Sequence, residues 1–357
     1  MNISSSPPDT APGKRPVVAT ACGKVILLGE HAVVYGEPAL AVPLSCHRLS
    51  VVLAEQGVGW APMDLAAAQV SSQMGLTIDP EDMGLDGGGG ATHSMPSVGG
   101  VQVRPIIITL EDNAPEGASA DIFRALGSAA RALGLQLPLP LRLAVRSGGL
   151  QSGMGTSAAL GTALARALLS WYSCEAEPER VMSAAEAVEK MFHGQPSGID
   201  HTVSTFEKPV WFEKGLPPTP LENLPPLSIV VRPGASDQQT REIVNGVRMR
   251  LASDPGLVRT MAEIGRWSRM GRSAWVAGEP RGVAQAMAEQ QACLELLGVV
   301  HDRDREGIHA AIQAGAMAAK ITGAGWGGTL IALVEDGAGA QVERAWGAGA
   351  FTLELGV

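Results

Sequence analysis

The chain has 357 residues, 45% of them hydrophobic and 18% charged, which is enough apolar material for a sizeable core in two domains and excludes wholesale disorder. Its formal charge is −9, from 27 basic and 36 acidic residues, and it lacks the basic stripe of a duplex-binding protein, which argues against a nucleic-acid partner. Cysteines at 22, 46, 174 and 293 stand far apart with no C-x-x-C spacing, so neither a zinc site nor a disulfide framework is indicated.

Residues 1–16 are polar and proline-rich; they have no apolar signal core and read as a flexible tail. No run of apolar residues is long enough to span a bilayer. A soluble, cytoplasmic protein with no membrane partner is the expectation. Strands are predicted over 17–29 (VVATACGKVILLG) and 39–54, with a glycine-marked turn near Gly36. The stretch from about 55 to 100 reads as an excursion with one helix near 63–74 and a Gly-rich loop at 84–100. Strand-like runs follow at Val101–Leu110 and Leu141–Val145, with an Ala-rich helix near 118–134 between them.

Beyond Gly155 an apolar helix is expected from Ser157 to Leu169. A second, over 178–192, places Val181, Ala185, Val188 and Phe192 on one stripe. Two strands are predicted around 200–214, then a proline-rich bridge at 216–226. The second half opens with a strand at Leu227–Val231 and continues with three or four helices between 238 and 315. It closes with strands at Ala318–Thr322 and Thr329–Val334, a helix near 338–347 and a strand at Phe351–Leu355. This order predicts two α+β domains side by side, at 17–215 and 227–357.

Four segments carry chemistry. In GKVILLGEHAVVYG (23–36), Lys24 opens an apolar strand and Glu30 and His31 sit in the turn that ends it. With only six lysines in the chain, an anionic substrate would need a placed cation such as this one. In GGLQSGMGTSAALGTAL (148–164), Gly153 and Gly155 let backbone N–H groups converge, and the helix starting at Ser157 adds its positive end. That is a phosphate cradle in physical terms, and Ser157 could ligate Mg²⁺. In EKMFHGQPSGID (189–200), Glu189 flanks an apolar helix stripe, and Asp200 follows a Pro-Ser-Gly turn at the predicted start of a strand. A carboxylate so placed is a candidate general base. In KITGAGWGGTLIALV (320–334), a glycine loop joins two strands and is not followed by the helix of a dinucleotide site. Each segment alone also has a structural reading: a snorkelling edge lysine, a helix cap, a capped turn, a close backbone approach.

Together and in this order, the segments resemble the galactokinase–homoserine kinase–mevalonate kinase–phosphomevalonate kinase superfamily. GEHAVV at 29–34, where sugar kinases usually read GEHTDY, is similar to the branch acting on mevalonate. The resemblance implies a ribosomal-protein-like N-terminal α/β domain and a ferredoxin-like C-terminal domain with ATP between them. The reaction implied is transfer of the γ-phosphate of ATP to the 5-hydroxyl of mevalonate. The alternative within the superfamily is another small hydroxylated substrate, phosphomevalonate or a sugar. Carried over by motif, Asp200 and Lys24 are the catalytic pair, with Lys24 holding Asp200 ionised. Gly153, Met154, Gly155, Thr156 and Ser157 surround the triphosphate, Ser157 and Glu189 hold Mg²⁺, His31, with Glu30, lies by the substrate, and Thr240, grouped with them, resembles a family threonine near the phosphates. A homodimer is family habit. Gln151, His201 and Trp326 depart from the family's usual residues.

Overall fold

The computed structural model describes residues 15–55, 97–98, 101–102, 106–110, 117–137, 140–151, 153–194, 196–234 and 240–356. In chain order the elements are β1 (Val17–Leu28), β2 (Ala39–Glu55), β3 (Ser97–Val98), β4 (Val101–Gln102), β5 (Ile106–Thr109), α1 (Ala118–Leu133), β6 (Leu141–Arg146), α2 (Thr156–Trp171), α3 (Pro178–His193), α4 (Ile199–Phe206), β7 (Val210–Phe212) and β8 (Thr219–Pro220). There follow β9 (Leu227–Arg232), α5 (Thr240–Ser253), α6 (Gly256–Val276), α7 (Pro280–Leu296), α8 (Asp302–Gln313), β10 (Ala318–Ile321), β11 (Leu330–Val334), α9 (Gly339–Trp346) and β12 (Phe351–Leu355).

The long strand β2 organises the first sheet, β5-β6-β2-β7-β8. Its second half pairs with β6, its first residues with β7, and β1 runs antiparallel to it almost throughout. The register slips between Cys22 and Gly23. A bulge of this kind re-aims the strand immediately before Lys24. The second sheet, β10-β11-β9-β12, is antiparallel throughout. With helices α5–α8 between β9 and β10 and α9 between β11 and β12, it has the β-α-β-β-α-β order of a ferredoxin-like unit.

The two sheets share an interior. One hydrophobic cluster runs from Ala21 on β1 through α2 and α3 to Trp275 on α6, Met287 on α7 and Leu355 on β12. The α6 helix approaches β1 so closely that a methyl group at Gly271 would strike the Leu28 side chain. The catalytic-looking end of β1 is thus wedged between both halves of the chain.

Two sequence expectations are corrected. Residues 199–206 form helix α4 rather than a strand. The β-branched run suggests extended chain, but Ile199 and Val203 are buried four residues apart in a cluster with Ile26 of β1, Ala39 and Ala41 of β2 and Val210 and Phe212 of β7, and tertiary packing overrides propensity. The expected strand at 101–110 is divided: β4 pairs with β3, whereas β5 pairs in parallel with β6. The helix expected at 63–74 and most of the loop at 84–100 lie outside the described residues.

Candidate active site

Lys24 sits on β1 just beyond the bulge, with its amide donating to Met154 O at 2.9 Å. Its ammonium lies 3.1 Å from Asp200 Oδ2 and donates to Gly153 O at 3.5 Å. The Lys24 side chain is 4% exposed and that of Asp200 27%, so the pair is open on the acid's side only. Gly198, at φ +99°, turns the chain into α4 and puts Asp200 in its first turn. A carboxylate is favoured there by the helix's positive end.

Gly155 caps the N-terminus of α2 at φ +74°. A Cβ at this position would sit 3.1 Å from Lys24 Cγ, so only glycine lets the turn lie against the lysine. One residue past the N-terminal Thr156, the Ser157 hydroxyl donates to Glu189 Oε1 of α3 at 2.8 Å. His201, buried on α4, donates from Nδ1 to Glu189 Oε2 at 3.3 Å. His193, at the end of α3, donates from Nε2 to Ser157 Oγ at 3.0 Å.

The two acids respond oppositely to this setting. Desolvation raises the Asp200 carboxyl; Lys24 opposes the rise and the Glu189 charge adds to it. Lys24 therefore favours the ionised form of Asp200 against the upward push of burial. Burial alone would raise Glu189 too, but hydrogen bonds from His201 and Ser157, with the histidine charges, bring it below its ordinary value. A carboxylate whose ionised form is favoured and a hydroxyl, both hard oxygen donors, suit Mg²⁺.

At the far end of β1, His31 is buried and its Nε2 meets Ala324 O at 3.1 Å. Desolvation pushes the imidazole down to about 4, so it is neutral near pH 7 and carries its proton on Nε2. Glu30, fully buried, is ion-paired with Lys320 of β10. Burial raises the Glu30 carboxyl and lowers the Lys320 ammonium. Thr240 opens α5 and is exposed.

The structure thus brings together Lys24, Asp200, Gly153, Met154, Gly155 and, next to them, Ser157 with Glu189. Three participants carry no assignment from sequence: His193, His201 and Lys320. The signal for Lys320 was a lysine inside an apolar strand; the histidines stand within or beside the segment that carries Asp200.

Residues 120–208 match the sequence model of the GHMP kinases N terminal domain, and residues 273–351 that of the GHMP kinases C terminal domain. The chain thus carries both the N terminal and the C terminal domain models of the GHMP kinases, the superfamily whose name abbreviates its galactokinase, homoserine kinase, mevalonate kinase and phosphomevalonate kinase members. Among curated relatives, the mevalonate kinase of Aeropyrum pernix is 28% identical over 93% of this chain and 91% of its own length. Mevalonate kinase from methicillin-resistant Staphylococcus aureus superposes with TM-score 0.64 at 25% identity, over 96% of this chain and all of that one. L. major mevalonate kinase in complex with R-mevalonate superposes with TM-score 0.74 at 20% identity, covering 98% of each chain.

Proposed function

We propose that this protein is an ATP-dependent kinase that phosphorylates mevalonate at its 5-hydroxyl, giving 5-phosphomevalonate and ADP for isoprenoid precursor synthesis. The observation that carries the reading is the Lys24–Asp200 pair at 3.1 Å, set against the glycine turn before α2. The mevalonate kinases among its relatives supply the substrate.

The N–H groups of residues 153–157 and the start of α2 form the seat for the triphosphate. Asp200 takes the proton of the 5-hydroxyl as its oxygen attacks the γ-phosphorus and the bond from that phosphorus to the β–γ bridging oxygen breaks, leaving ADP. A well-placed base contributes about 10²–10⁴-fold. A carboxyl raised by burial is a stronger base than an ordinary aspartate, so the desolvation around Asp200 favours this role. Lys24 keeps enough of Asp200 ionised and stands where charge on the transferring phosphoryl can be offset. Ser157 and Glu189 would hold Mg²⁺, which when bound neutralises phosphate charge. His201 and His193 keep those two oxygens in place by occupying their other hydrogen-bonding positions. His31, protonated on Nε2 toward Ala324 O, leaves Nδ1 free to accept from a substrate hydroxyl. Glu30 shapes the same turn, and Thr240 is assigned to the phosphates.

Among the described residues no helix is long and apolar enough to cross a membrane; we assign the enzyme to the cytoplasm. A homodimer is proposed from family habit and is read by light scattering. Coupled ADP release across mevalonate, phosphomevalonate and galactose tests the substrate. Turnover with mevalonate at least a hundredfold above the other two is expected; preference for either alternative replaces this reading.

A further inference from the structure

Four residues from the second half of the chain make polar contacts with the last residues of β1 and the turn after it. Thr322 donates to Ile26 O and accepts from Ile26 N, both at 2.9 Å. Gln290 of α7 accepts from Gly29 N at 3.0 Å. Lys320 donates to Glu30 Oε1 and, at 2.8 Å, to Ile321 O. Ala324 O holds the His31 ring.

The Lys320–Glu30 pair differs from the others. Both side chains are 0% exposed, and Glu30 Oε2 has no hydrogen-bond partner among the described residues. An ion pair buried without full satisfaction is a poor source of stability, because desolving both charges offsets most of their attraction. Its location shows what it does instead. His31 follows Glu30 at φ +59° and ψ −48°, a positive-φ turn conformation, closed by Ala32 N donating to Glu30 O, that costs a non-glycine residue on the order of 1 kcal/mol or more. Such a backbone persists only where its surroundings over-determine it. Here Glu30 is fastened on one side by Lys320, and the imidazole on the other by Ala324 O. Both fasteners belong to one short segment, 320–324, and Lys320 ties itself to that segment through Ile321 O.

We propose that Lys320 is a positioning residue for the alcohol substrate: through Glu30 it holds the turn at His31 in its positive-φ conformation, with Nε2 on Ala324 O and Nδ1 presented to the substrate. This rests on the reading of His31 as a substrate contact. Lys320 touches neither substrate nor nucleotide, so its loss affects binding of the alcohol and not of ATP.

The test compares Lys320→Gln with Thr322→Val, which removes two buried bonds from the same seam without touching Glu30. Lys320→Gln is expected to raise the mevalonate KM at least tenfold with the ATP KM within threefold of the parent. In ¹⁵N-histidine spectra the single Nε2–H tautomer of His31 should give way to a mixture. Thr322→Val should lower the melting temperature yet leave the mevalonate KM within threefold and the His31 spectrum unchanged. Equal KM effects of the two variants, or an unaltered His31 spectrum in Lys320→Gln, overturn the proposal. Should Lys320→Gln not fold, the charge-free pair Glu30→Gln/Lys320→Met is read in the same way, and failure of that pair to fold assigns Lys320 to stability alone and also overturns it. If the unmodified protein does not turn over mevalonate, the substrate assignment fails, while the tautomer measurement still decides whether Lys320 sets His31.

Discussion

The Lys24 ammonium reaches Asp200 at 3.1 Å while its own backbone amide is fixed to Met154 O. One residue therefore joins the acid to the glycine turn, and neither can move without the other. Asp200→Asn keeps the shape of this junction and removes the base. We expect kcat to fall by about 10²–10⁴-fold, with ATP affinity by calorimetry within threefold and the melting temperature nearly unchanged. An Asn variant with parental kcat would remove Asp200 from the chemistry.

The opposite shifts of the two acids set the pH dependence. Asp200 must be ionised to accept a proton, and desolvation raises its carboxyl. Turnover should therefore decline on the acidic side at a pH above the ordinary aspartate value of about 3.9. Glu189 is lowered and stays ionised throughout that decline. In pH–rate profiles of kcat/KM, the acidic limb should persist in His193→Gln, since it belongs to Asp200; its disappearance would reassign it to the histidine.

Magnesium dependence should localise to α2 and α3. Ser157→Ala and Glu189→Gln each remove one of the oxygens facing each other at 2.8 Å. Half-saturating Mg²⁺ should rise at least tenfold in either, and chelation should abolish turnover in the parent. Unchanged Mg²⁺ titrations in both variants would move the metal elsewhere.

Gly155 and Gly215 offer a matched pair, both at positive φ (+74° and +87°). Alanine at either costs on the order of 1 kcal/mol in backbone strain. At Gly155 the new Cβ also crowds Lys24 Cγ, whereas at Gly215 nothing lies within 4 Å. Both variants should melt a few degrees lower, and only Gly155→Ala should lose turnover, by tenfold or more in kcat/KM for ATP. Equal kinetic effects would separate the turn from the site.

Stability at acid pH should depend on Glu207. It takes hydrogen bonds from Arg48 at 2.8 Å and from Arg166, joining β2 and α2 to the end of α4. Burial works against the charge, but the two arginines outweigh it and the carboxyl is lowered. A depressed carboxyl contributes stability that is present above its unfolded pKa, about 4.3, and is lost as the pH falls through the folded value. Glu207→Gln should therefore melt below the parent at pH 7, and the gap should close as the pH is taken below about 4. A gap independent of pH would mean that packing, not charge, is at work.

Much of this was legible in the chain. The apolar periods of β1, β2, α1, α2 and α3 follow from local pattern, because each buries one face or both against the interior. Asp200 stood out as a carboxylate after a glycine turn, yet its element was misread, since Ile199 and Val203 are β-branched residues in a helix stabilised by what it packs against. The bulge between Cys22 and Gly23 falls at a glycine inside the strand, a residue that often marks such a site, but reading 17–29 as one strand passes over it. Lys320 stands among apolar neighbours as Lys24 does, but its partner lies 290 positions away in the chain, and it carried no assignment from sequence.

What the sequence alone determined was the inventory: a glycine turn able to hold phosphate, a carboxylate to take a proton, a lone strand lysine, and the order that makes them one superfamily's set. These are local matters of residue type and spacing. Only the tertiary structure decided which side chains share an environment: that burial outweighs Lys24 in raising Asp200, that two histidines hold Glu189 ionised, and that Lys320 fastens the turn at His31. Desolvation and ion pairing depend on neighbours brought together by packing: Lys24 meets Asp200 and Lys320 meets Glu30 across long stretches of chain, and even the nearby His201 reaches Glu189 only because α3 and α4 fold against each other.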